Sequence, residues 1–203
     1  MPRPEIVTLV GVDGAGKSTQ ARLLVHWLRD QGVRAGYFQN PGGRPRMNRL
    51  ATQVGQPDAV AVLGRRGFLV IEISIRWLML ARGLLWSRLT RQVAVMDRYT
   101  YCQYAMTLAR GHRREPLVRR LYACFPRPDR MFFLDVPPEL AQRRVTARGK
   151  DHEELSYLTA LREAYQSLPE YPEFTVIDAS GSKEQVAERL RQALRPDPQP
   201  DPT

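Results

Sequence analysis

Nine residues, Gly11 to Thr19 (GVDGAGKST), constrain this chain more than any other stretch. The apolar run Ile6-Val7-Thr8-Leu9-Val10 precedes them, and a helical pattern through Leu23, Leu24 and Leu28 follows. The order is strand, glycine-rich turn, helix. Gly11, four further residues and then Gly16-Lys17-Ser18 have the spacing of a loop that wraps a polyphosphate. Glycines let such a backbone curl until its N–H groups point inward. The helix that follows adds its N-terminal N–H groups to the same anion site. Lys17 is placed to reach the β- and γ-phosphates of a nucleoside triphosphate, and the Ser18 hydroxyl to hold Mg²⁺. The chain has only three lysines against 28 arginines. Keeping a lysine at 17 fits a position that needs a compact ammonium. The expected donor-binding set is Gly11, Asp13, Gly14, Ala15, Gly16, Lys17, Ser18 and Thr19.

The bulk numbers bound the rest. With 203 residues, 43% of them apolar, one domain with a substantial core is expected. Cys102 and Cys124 have neither metal-ligand spacing nor the look of a disulfide scaffold, which points to a reducing cytosol. The N-terminus runs straight into the first strand, so no signal peptide is expected. The most apolar region, 67–87, is broken by Glu72, Arg76 and Arg82, so no membrane helix is expected. A formal charge of +10 could serve nucleic acid or an anionic nucleotide. Without a dense basic tail or aromatic-basic interleaving, the nucleotide is the better fit.

Strands are expected at 5–10, 34–38, 93–96, 131–136 and 175–178, separated by helical stretches. The helices fall at 18–31, across 60–89 as one or two pieces, and at 101–109, 116–125, from Pro138, and 154–168. The last begins at the capping box Ser182-Lys183-Glu184-Gln185 and ends near Leu194. Asp58 is a candidate helix cap. Alternation of this kind predicts a three-layer α/β domain with a five-stranded parallel sheet. A single domain over 1–195 is expected, with a lid at about 148–153. The Pro/Asp-rich tail 196–203 has no core-forming residues and is expected to be disordered.

A phosphate loop alone does not separate hydrolases from kinases. Three other features bear on that choice. Asp97-Arg98-Tyr99 closes a strand, where a carboxylate can position Mg²⁺ and Arg98 can neutralise phosphate oxygens. Arg143, Arg144 and Arg148 lead into the lid, which could bring positive charge over the phosphates and keep water out. Asp13 lies inside the loop without being needed to cradle phosphate; a sugar hydroxyl of an acceptor is one partner for it.

Taken together these motifs resemble the thymidylate kinase family. GVDGAGKSTQ at 11–20 is similar to its phosphate loop, including the aspartate. Asn40-Pro41-Gly42-Gly43 is similar to the second half of its Arg-Glu-Pro-Gly-Gly turn. Asp97-Arg98-Tyr99 falls at its Asp-Arg motif. Leu134 to Glu139 with Arg143-Arg144 resembles the strand and helix before its lid, and Arg148 to Glu153 the lid itself. The likeness runs over 5–194. It implies a P-loop NTPase fold, ATP with Mg²⁺ as donor, and a nucleoside monophosphate acceptor, thymidylate first. Lys17, Asp97, Arg98 and a lid arginine, Arg148 or Arg143, would then be catalytic. Arg144 would join the donor site, and Ser18 and Asp97 would hold the metal. Asp13, Gln39, Arg76, Arg98 and Tyr99 would line the acceptor site. Many members are dimers that pair through long helices, which here would be those in 60–89 and 101–109.

The departures are on the acceptor side. Gln39-Asn40 replaces Arg-Glu. Cys102 stands for a serine, and Met106-Thr107 for Tyr-Gln. The aromatic that stacks on thymine has no match near 69–72. The rival reading is therefore a P-loop kinase acting on a hydroxyl of a nucleoside or other small metabolite. Such an acceptor would need a base, for which Asp97, Asp13 and Glu72 are candidates.

Overall fold

Residues 6–10 have no polar face, and a strand without one must be covered on both sides. They form β1 (Ile6–Val10), buried at every position. The computed structural model describes residues 3–41, 44–53, 55–111, 115–149 and 153–194. The other strands are β2 (Ala35–Gln39), β3 (Val93–Asp97), β4 (Arg130–Asp135) and β5 (Thr175–Asp178). All pairings are parallel, in the order β2-β3-β1-β4-β5. This is the five-stranded parallel α/β fold that the alternation predicts.

The register fixes the functional edge. Leu9 pairs with Asp97 and Val10 with Phe133, so the carboxyl ends of β1, β3 and β4 lie level. In an open parallel sheet that edge, beside the strand where the order reverses, is where ligands bind.

Helix α1 (Lys17–Asp30) turns Ala21, Leu24, Val25 and Leu28 into the core. Short α2 (Arg44–Gln53) follows β2, and α3 (Ala59–Thr90) is the longest element. Asp58 caps α3 by accepting from the Ala61 N–H at 2.8 Å. Of its three glycines, Gly64, Gly67 and Gly83, only Gly64 breaks helical geometry, at φ 68°. Gly83 is helical, and because a Cβ there would come within 3.3 Å of Phe38 of β2, a glycine lets α3 lie close to the sheet. Next come α4 (Thr100–Ala109), α5 (Glu115–Tyr122), α6 (Pro138–Thr146), α7 (Leu155–Gln166) and α8 (Lys183–Leu194). The capping box forms as read: Ser182 N–H donates to Gln185 Oε1, and Gln185 N–H to Ser182 Oγ.

Helices α1 and α8 pack on each other, and α4 packs on α5 and α7. Aromatic rings weld the second layer: Phe133 of β4 meets Tyr165 of α7 at 5.4 Å, and Tyr101 of α4 meets Phe174 at 5.3 Å. Leu9, Leu80, Leu134 and Leu158 are fully buried between the layers. Each such side chain contributes about 1.5–3 kcal/mol, which keeps the sheet edge rigid beneath the site. Among the described residues no helix is long and apolar enough to cross a membrane. Gly42, Gly43, most of the lid (150–152) and the tail 196–203 lie outside the described residues.

Candidate active site

The loop after β1 is shaped by close packing. Gly14 has φ +90°, and a Cβ there would enter the backbone of Ala141 on α6. Gly16 has the same φ but faces open space, and no side chain caps the helix it starts. The first-turn N–H groups of α1 are therefore free to bind an anion. Lys17 is 5% exposed; its ammonium donates to the carbonyls of Gly11 at 2.9 Å and Val12 at 2.7 Å. Burial, and then Arg98, lower its pKa.

Asp97 ends β3 directly across from the loop. The Ser18 hydroxyl donates to its Oδ2 at 2.5 Å and the Tyr37 hydroxyl to the same oxygen at 3.0 Å. Oδ1 is buried without a partner. Burial, and then Asp97, push the Tyr37 phenol up to about 12, so it remains a donor at neutral pH. A serine hydroxyl beside an under-used carboxylate is the hard-oxygen pair that suits Mg²⁺.

Arg98 follows with φ +78°, a conformation unusual for a side-chain-bearing residue. Its guanidinium bonds Asp13, which also lies 3.7 Å from the Lys17 ammonium. Burial would raise the Asp13 pKa, but Arg98 and Lys17 overcome it and hold the carboxyl well below the usual range. Arg76 adds a smaller contribution to that field.

Arg76 is buried on α3. It donates from Nη1 to the Asn40 carbonyl at 3.2 Å and from Nη2 to Glu72 at 3.1 Å. The other Glu72 oxygen accepts from Arg110 at 2.9 Å. Burial raises the Glu72 pKa, yet Arg76 and Arg110 reverse this and the net shift is downward. Glu72 and Asp13 are both poor proton acceptors on this account.

The donor side is a cavity of about 370 Å³ between the loop, α6 and α8. Gly14, Gly16, Thr19, Arg144, Arg148 and Lys183 are among its walls. Arg144 donates to three successive carbonyls, Ala179 at 2.8 Å, Ser180 at 3.1 Å and Gly181 at 3.2 Å. A second hollow, by Arg29, Arg34 and Gln92, lies at the opposite edge of the sheet.

The structure thus brings Asp13, Lys17, Ser18, Asp97 and Arg98 into contact, with Arg76 close by and Arg144 and Arg148 on the donor wall. Tyr99 is a correction. It is 1% exposed, its hydroxyl donates to the Pro126 carbonyl at 2.6 Å, and its ring faces Tyr101, so it is a core residue and not an acceptor contact. Arg143 is exposed and is not among the residues that line the donor cavity. Gln39 is exposed at the end of β2, whereas its neighbour Asn40 is buried with Oδ1 unpaired.

Tyr37, Gln103 and Arg110 were not singled out in the sequence, and Asn40 was named there only within its turn. Gln103 is 1% exposed with both amide atoms unpaired. Only Asn40 carried a signal, its place beside the Pro-Gly-Gly turn.

Sequence comparison agrees with this geometry. The profile of the family described as thymidylate kinase matches residues 9–190. A probable thymidylate kinase of Archaeoglobus fulgidus is 29% identical over 192 residues, covering 93% of this chain and 94% of the relative. A thymidylate kinase of Alkalilimnicola ehrlichii is 31% identical, covering 96% and 94%. A probable thymidylate kinase of Pyrococcus abyssi is 30% identical, covering 93% and 94%.

Proposed function

The chain belongs to the thymidylate kinase family and is an ATP-dependent nucleotide kinase, and on that premise we propose that it phosphorylates a nucleoside monophosphate, thymidylate first. The observation that carries this reading is the shared carboxylate Asp13. It pairs with Arg98 and Lys17 and feels Arg76, so cations of the donor loop and the acceptor side converge on one point.

A monophosphate acceptor brings its own nucleophilic oxygen, so positioning and charge neutralisation suffice. Lys17 holds the donor's β- and γ-oxygens, and Arg98 stands between donor and acceptor phosphates. Arg148, on the donor wall, covers the transferring group. Arg76 binds the acceptor phosphate, and Asp13 a sugar hydroxyl. Ser18 and the unpaired Asp97 oxygen are the residues that would hold Mg²⁺, which neutralises phosphate charge when bound. Among the described residues no cluster of three or more His, Cys, Asp or Glu is placed to hold a metal. Phosphate oxygens and water would therefore complete its shell. A hydroxyl acceptor is disfavoured because Asp13 and Glu72 are pinned by guanidiniums and Asp97, already held by the Ser18 and Tyr37 hydroxyls, is assigned to the metal. Two free thiols, Cys102 and Cys124, fit a cytoplasmic location.

The test is a coupled assay with Mg²⁺-ATP over nucleoside monophosphates, nucleosides and small sugars. Turnover is expected with a monophosphate, fastest with thymidylate. Lys17→Ala should lower it roughly 10²–10³-fold with the fold intact. Phosphorylation of a nucleoside in preference to its monophosphate would overturn the reading.

A further inference from the structure

Glu72 is a carboxylate at 1% exposure on the most apolar stretch of the chain. One oxygen accepts from Arg76, one turn further along α3, and the other from Arg110, the residue that ends α4. Helix α4, which Arg110 ends, packs in turn on α7. One carboxylate therefore joins α3 to the end of α4.

Packing alone does not call for this arrangement, because buried ion pairs can often be replaced by apolar residues without loss of stability. What the bridge supplies is direction. The Arg76 guanidinium is held at Nη2 by Glu72 and at Nη1 by the Asn40 carbonyl. Its Nε–H is buried and has no partner. A charged donor left unpaired in a protein interior marks a place where a ligand or water belongs. The surrounding charge has a matching excess. Among the described residues, the cations Lys17, Arg76, Arg98 and Arg110 are set against the carboxylates Asp13, Glu72 and Asp97. A fixed donor edge and surplus positive charge suit a phosphate oxygen.

We infer that Glu72 is a positioning residue of the acceptor site: it fixes Arg76 so that its free edge meets the acceptor phosphate, and through Arg110 it ties that aim to the end of α4. The inference rests on the reading of Arg76 as the acceptor-phosphate residue.

Glu72→Gln keeps the shape and removes the charge. Its expected signature is an acceptor KM raised about ten-fold, with kcat and the ATP KM each within about two-fold. In side-chain ¹⁵N spectra the Arg76 Nη–H signals should be resolved in the wild type, where rotation is restrained, and collapse in the variant. Arg110→Gln, which leaves the Glu72–Arg76 bridge in place, serves if Glu72→Gln does not fold. It should raise the acceptor KM about three-fold and leave the ATP KM unchanged. Both KM values rising together would overturn the inference in favour of a purely structural role. Loss of kcat together with the acid limb of the pH profile would overturn it in favour of Glu72 as a base. Normal wild-type turnover with an unchanged acceptor KM in Glu72→Gln would sink this inference alone. No wild-type turnover of any monophosphate would sink the proposed function, and the acceptor role with it.

Discussion

Arg98 adopts φ +78° at the strand end where its side chain must reach back to Asp13. A non-glycine residue in that region costs about 1–3 kcal/mol, and such cost persists where the surroundings over-determine the backbone. Here the Arg98 N–H donates to the Leu9 carbonyl at 3.2 Å while the guanidinium is bound by Asp13, so both ends are fixed. The partner carboxylate makes the pair pH-dependent. Asp13 has a folded-state pKa below its model-peptide value of 3.8. Its contribution is therefore complete above about pH 4 and is lost as pH falls below that. Asp13→Asn should lower stability by about 1–3 kcal/mol at pH 7. Thermal melts should show that gap narrowing below about pH 4. A gap that is constant down to pH 2 would deny the pairing its role in stability.

At the scale of elements, the donor cavity depends on one helix holding a distant loop. Arg144, near the end of α6, collects the carbonyls of residues 179–181 between β5 and α8. Those carbonyls would otherwise be left with water, and the loop would gain freedom against the cavity it lines. Arg144→Met should raise the ATP KM roughly ten-fold while leaving the acceptor KM within two-fold, because α3 and α4 are untouched. Equal changes in both would place the effect in general stability instead. The caps were plain in the sequence because they are local. Asp58 and the Ser182–Gln185 box act within three residues. The continuity of α3 past Gly67 and Gly83 was not, since a neighbouring strand, through Phe38, decides what Gly83 is for.

The whole molecule leaves an apolar face uncovered. Val70, Leu78, Leu85 and Leu89 share one side of α3 and are 59–69% exposed. Burying each would contribute about 1.5–3 kcal/mol, enough in sum to drive association. A homodimer through α3, the arrangement that the family resemblance implies, would cover it. The paired change Leu78→Lys and Leu85→Lys should convert a dimer into a folded monomer, read by sedimentation and circular dichroism. A wild type that sediments as a monomer across the micromolar range would dismiss the dimer.

The sequence by itself determined the class of the molecule. Strand, loop and helix around Gly11–Thr19 are contiguous, and local geometry follows from contiguous residues. Glu72 and Arg76 were likewise legible as a pair one helical turn apart. Tertiary structure decided the rest. Ser18 meets Asp97 across 79 positions, Arg98 meets Asp13 across 85, and Arg110 meets Glu72 across 38. Those contacts exist because β3 lies beside β1 in register and the end of α4 comes within reach of Glu72 on α3, and strand order is set by packing of whole layers. The same packing withdrew Tyr99 into the core. Composition and spacing cannot show which way a side chain points once its strand has ended.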